Sequence, residues 1–154
     1  ASPMRRSIGI GEDEFYDLLR QRDAAWPSLL KRFLDKAGEL GLYVEMKGGL
    51  SIKHSSPTGM PLNLASIAKE GTVDTQPTTW WNRTAQGKRY NETLARAIGG
   101  FVKEIKGGTE AALRMPDGKM PRISDILPEH EDAWLKAIQT YVSEMFADSN
   151  LENP

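Results

Sequence analysis

The chain has 154 residues, 39% hydrophobic and 27% charged, with a formal net charge of -1 and no cysteine. These values fit one globular domain rather than a disordered chain, and the missing cysteines exclude disulfides, thiolate nucleophiles and cysteine-ligated zinc. No apolar run is long enough to cross a bilayer and no signal-peptide order opens the chain, so a soluble, cytoplasmic protein without a membrane partner is expected.

The near-neutral total hides an uneven distribution. Residues 1–46 hold 7 Lys and Arg against 8 Asp and Glu, residues 47–122 hold 12 against 6, and residues 123–154 hold 1 against 7. A basic middle beside an acidic tail either offers a basic face to an acidic partner or lets the two regions compensate each other on folding.

Three acids, Glu12, Asp13 and Glu14, precede Phe15, Leu18 and Leu19 at helical spacing, so a first helix is predicted there. Residues 1–11 are expected to be a flexible N-terminus or, at Ala1-Ser2-Pro3 before Met4, an expression remnant. Pro27 suits the first turn of a second helix whose stripe is Leu29, Leu30, Phe33, Leu34, Ala37 and Leu40, with Gly41 as its stop.

From Leu42 the period falls to two. Leu42, Val44 and Met46 alternate with Tyr43, Glu45 and Lys47, and the alternation resumes at Leu50 and Ile52. A loop of Gly48-Gly49 alone would put apolar and charged residues on one face. A Lys47-Gly48-Gly49 loop pairs Met46 with Leu50 and Val44 with Ile52, with Gly49 suited to a left-handed bulge position.

Leu62, Leu64 and Ile67 form a third strand whose alternation needs a bulge near Ala65, and the Lys69-Glu70-Gly71 loop sets Ile67 opposite Val73. Four antiparallel strands, two by two, are expected. Gln76 to Thr79 reads as loop, followed by an ambiguous stretch from Trp80-Trp81 to Gly87.

Tyr90, Leu94, Ile98, Phe101, Val102 and Ile105 form a helical stripe with Gly99-Gly100 in its middle, which predicts either a break or a close approach to the sheet, the latter preferred. Gly107-Gly108 should end that helix, and Pro116-Asp117-Gly118-Lys119 has tight-turn composition, as at the tip of a small third hairpin. Pro128 and the acids after it open a final helix with the stripe Trp134, Ile138, Tyr141, Val142 and Met145. The expected organisation is a single α+β domain over 12–147 with a frayed C-terminus over 148–154. It has two layers: central antiparallel hairpins covered on one face by N- and C-terminal helices, the other face wet.

Two constellations could carry function. Lys47, Lys53, Trp80, Trp81, Arg83, Lys88 and Arg89 combine cations with aromatics, the composition that single-stranded nucleic-acid recognition requires. Alternatively, Glu45 and Lys47 form a Glu-x-Lys pair on one strand face, the geometry used by magnesium-dependent nucleases, with Asp35 and Glu39 as candidates for the second carboxylate.

The two histidines, His54 and His130, have no metal-ligand spacing, and neither a phosphate-binding loop nor a nucleophile elbow occurs. Asn82-Arg83-Thr84 and Asn91-Glu92-Thr93 match the glycosylation acceptor pattern, which without a secretory signal is read as chance. The expectation is therefore a non-catalytic binding or interaction module, without cofactor, that contacts nucleic acid or an acidic protein surface through the outward hairpin face and the adjacent tryptophans. A protein-interaction domain of a larger chain is the third reading.

Overall fold

The computed structural model describes residues 10–152, and of residues 149–152 only the backbone. Most of the expected flexible N-terminus thus lies outside the described residues, but Ile10 packs against the core and its N–H donates to Lys47 O at 2.9 Å. Among the described residues the fold is mixed α+β, with five α-helices, a four-stranded antiparallel sheet and a separate hairpin.

Helices α1 (Glu12–Arg22) and α2 (Trp26–Gly38) pack side by side, burying Phe15, Tyr16 and Leu19 from one and Trp26, Leu30, Phe33 and Ala37 from the other. Gly41, at φ +87°, then turns the chain toward the sheet. Strands β1 (Tyr43–Met46), β2 (Leu50–His54), β3 (Leu62–Ile67) and β4 (Val73–Asp74) form one continuous meander in chain order, not two separate pairs. The first hairpin has the predicted register, Met46 opposite Leu50 and Val44 opposite Ile52. The apolar alternation decides this, because any one-residue slip would turn Ile52 out of the core.

Gly49, however, is not left-handed. It is required for room: a Cβ there would lie 2.4 Å from Ile67 O on the neighbouring strand β3 of the same sheet. The left-handed glycine belongs to the second turn, where Gly71 has φ +91° and Ile67 faces Val73 as predicted.

The bulge lies where the pattern demanded it. Ile52 pairs with Ala65 but Lys53 pairs with Asn63, so Leu64 is the extra residue of β3. Its carbonyl finds a partner in the Tyr90 hydroxyl, which donates to Leu64 O at 2.7 Å and accepts from Trp134 Nε1 at 2.8 Å.

The long helical stripe is corrected. Helix α3 (Thr84–Ile98) ends where Gly99 takes φ +77°, and Phe101–Ile105 is strand β5, paired with β6 (Glu110–Arg114). Helical spacing continued by coincidence across a helix stop. Of the two expectations the break occurs, with Gly99 capping the helix. The preferred close packing of an unbroken helix on the sheet does not, since Gly100 lies beyond the helix and instead allows close approach to Arg114 O on the paired strand β6. Gly107-Gly108 consequently forms the tip of this third hairpin. Pro116–Lys119 is a tight turn, closed by Gly118 N–H to Met115 O at 2.8 Å, but it leads out of β6 rather than joining strands.

A one-turn helix α4 (Ile123–Ile126), absent from the sequence reading, is stabilised by Asp125 accepting from Arg122 N–H at 2.8 Å. Helix α5 (Glu131–Glu152) continues through Asp148, where fraying was expected. Its buried face, Trp134, Ala137, Ile138, Tyr141 and Met145, joins the α1–α2 pair, the sheet and α3 in one core. Phe33 and Trp134 stack within it, their centroids 4.2 Å apart. Glu131, almost buried, pairs with Lys36 and fixes the start of α5 on α2. On the outer sheet face, Tyr43, Glu45, Ser51, Lys53, Asn63, Ser66 and Asp74 are all partly or largely exposed.

Candidate functional site

The two tryptophans sit on a turn whose ends are both immobilised. Before it, the single-turn helix Gln76–Thr79 buries Thr78 and Thr79, and Thr79 Oγ1 donates to Gln76 O at 2.8 Å. After it, Arg83 is only 7% exposed and its guanidinium donates to Pro61 O at 2.9 Å and to Met60 O at 3.1 Å. Between these anchors Trp81 and Asn82 both adopt φ +61°, a left-handed conformation that costs an L-residue about 1–2 kcal/mol. Asparagine tolerates it; a bulky indole does not favour it.

The turn splits the indoles between two sides. Trp80, 40% exposed, donates through Nε1 to Glu110 Oε1 at 3.1 Å on β6. The Glu110 carboxyl is held below the usual range chiefly by the Gln76 hydrogen bond, with Lys106 and Trp80 adding to it against the opposing effect of partial desolvation. Trp81, 60% exposed, instead overlooks a groove of about 360 Å3 formed with the β2–β3 loop and the end of α5. Pro57, Met60, Leu62, Met145 and Asp148 line it, with Arg83 among its walls. Met60 is itself 43% exposed, which gives the groove an apolar rim.

The basic residues predicted to share this surface are dispersed. Lys47 stands exposed at the first hairpin tip. Lys53 bonds Glu45 at 2.5 Å across the outer sheet face and is the main reason the Glu45 carboxyl lies below its ordinary range. Lys88 pairs with Glu104 at 3.0 Å on β5, and Arg89 with Glu144 at 3.0 Å on α5. Arg83 is a structural clamp on the β2–β3 loop. Only Trp81 and Arg83 of the predicted set meet at the groove. Met60 and Pro57 gave no sequence signal beyond a turn-rich connector, Met145 read as core and Asp148 as a frayed end. The detectable cue was Trp-Trp-Asn in a turn, since asparagine marks left-handed backbone.

Glu45 lies on β1 with Lys53 as its bonded partner, and Lys47 contributes only a weaker electrostatic effect. The carboxylate on the same face of β4, Asp74, is three strands away, roughly 14 Å at ordinary strand spacing, and accepts from Gln76 N–H at 3.0 Å. Asp35 lies on α2 and Glu39 at its C-terminal cap. Among the described residues no three His, Asp or Glu side chains cluster in a metal-binding arrangement.

A larger groove of about 620 Å3 runs between Leu40 and the outer side of α5. It offers Ile138, Val142 and Ala147 beside Gln139, Thr140, Ser143 and Glu144 and contains none of the aromatic or strained features of the Trp81 groove. No helix of the described residues is long and apolar enough to cross a membrane. Comparison with known proteins finds no matching family model, no similar curated protein and no similar solved structure.

Proposed function

We propose that the protein is a non-catalytic interaction module that binds a segment of another protein in the groove beneath Trp81. The observation that carries this reading is the pair of consecutive left-handed residues holding a 60% exposed indole over a cleft that mixes apolar side chains (Pro57, Met60, Leu62, Met145) with polar ones (Ser56, Gln86, Asp148). Backbone strain persists where the surrounding structure enforces it, and it clusters at ligand sites. Tryptophan is the side chain most enriched among binding hot spots, and Met60 supplies an adaptable neighbour.

A protein partner fits better than nucleic acid because Arg83, Lys53, Lys88 and Arg89 already serve acceptors within the fold, whereas phosphate recognition needs uncommitted cations. Selection of a random heptapeptide library on the wild type and on Trp81→Ala tests the reading. Sequences retained by the wild type and lost by Trp81→Ala, with unchanged thermal unfolding, are expected. Identical selections from both would overturn it, and tight oligothymidylate binding that weakens steeply with salt would replace it with the single-stranded nucleic-acid reading.

A further inference from the structure

Building on the interaction reading, we infer that the segment bound under Trp81 is cationic, presenting an arginine or lysine between the Trp81 indole face and the Asp148 carboxylate. The geometry starts from Asp148, which lines the same groove and is half-buried. Its Oδ2 accepts from Gln86 Nε2 at 2.6 Å, which fixes the carboxylate on the groove wall. An indole and a fixed carboxylate in the wall of one groove can together receive a guanidinium or ammonium: the ring quadrupole attracts the cation and the carboxylate accepts its hydrogen bonds.

The larger field has the same sign. Along α5 the residues after Lys136 include Glu144, Asp148 and Glu152 and no cation, so the last turn carries no basic residue. A helix C-terminus adds partial negative charge of the same sign. The one positive group in the groove wall, Arg83, is buried and turned onto the Met60 and Pro61 carbonyls, so it supports the loop below the binding surface.

Three capped heptapeptides with identical leucine and proline flanks and a central arginine, glutamine or glutamate test this on the full chain, followed by calorimetry and by the indole N–H resonance of Trp81. The arginine peptide is expected to bind about tenfold more tightly than the glutamine peptide, the size of one charge-assisted contact. Its advantage should shrink in Asp148→Asn, reverse toward the glutamate peptide in Asp148→Lys, and decline with added salt. Equal binding of all three peptides, with Trp81 shifting each time, would overturn the cationic assignment and leave the groove intact. No response of Trp81 to any of them at millimolar concentration would overturn both readings.

Discussion

Thr75 Oγ1 stands between two buried groups, accepting from Leu113 N–H at 2.9 Å and donating to Asn91 Oδ1 at 2.5 Å. One hydroxyl therefore joins the third hairpin to α3. Thr79 Oγ1 makes a second link to the hairpin, accepting from Ala111 N–H at 3.2 Å, but donates back to Gln76 O rather than to α3. Asn91 completes the network by donating to Gly87 O and Thr78 Oγ1. All four side chains are buried, so each hydrogen bond replaces water that is absent. The same lattice anchors the near end of the Trp80-Trp81 turn.

Thr75→Val is expected to destabilise the protein by roughly 2–5 kcal/mol, because it leaves the Leu113 donor and the Asn91 acceptor buried without partners. Thr75→Ser keeps the oxygen and should lose less than about 1.5 kcal/mol. Urea unfolding of both variants checks the difference, and amide exchange at Leu113 should accelerate only in the valine variant.

The Tyr90 hydroxyl holds the bulge carbonyl of Leu64 and the indole N–H of Trp134 together. Tyr90→Phe strands both in the core, at an expected cost of roughly 2–4 kcal/mol. Folded Trp134 should report the change in its emission. A loss below about 0.5 kcal/mol would show that the bulge does not depend on this bond.

Asn82→Gly removes one of the two left-handed penalties beside Trp81. A gain of about 0.5–1 kcal/mol is expected, less than the full strain because glycine also loses more chain entropy on folding. Chemical denaturation measures it.

High pH should unfold the protein through its tyrosines. Burial pushes Tyr16 and Tyr141 up to about 12, and raises Tyr90 as well, from an ordinary value of 10.0. The folded state thus holds these protons more tightly than the unfolded chain. Its stability is complete below about pH 10 and falls as pH rises from there through 12. Tyrosinate absorbance should appear for Tyr16, Tyr90 and Tyr141 together with loss of the near-ultraviolet dichroism, not before it.

The period-two alternation from Leu42 to Ile67 was sufficient to place the first hairpin register and a bulge near Ala65, found one residue earlier at Leu64, because a strand has only two faces and one must be apolar. The stripes of α1, α2 and α5 were legible for the related reason that helical spacing collects apolar residues on one side. What a pattern cannot convey is where one element gives way to another when both share apolar residues. Phe101, Val102 and Ile105 continued the α3 stripe in sequence and lie on a strand in space, since the left-handed Gly99 redirects the chain.

The tryptophan turn marks the same boundary. Sequence by itself determined only that Trp80 and Trp81 open an ambiguous stretch between the Gln76–Thr79 loop and the helical stripe that begins at Tyr90. Only the tertiary structure decided that they diverge, that Arg83 faces inward onto the Met60 and Pro61 carbonyls, and that Asp148, about 65 residues away along the chain, closes the groove. Such contacts are set by how the helices and the sheet pack around a shared core. They join side chains too distant in sequence for local spacing to register.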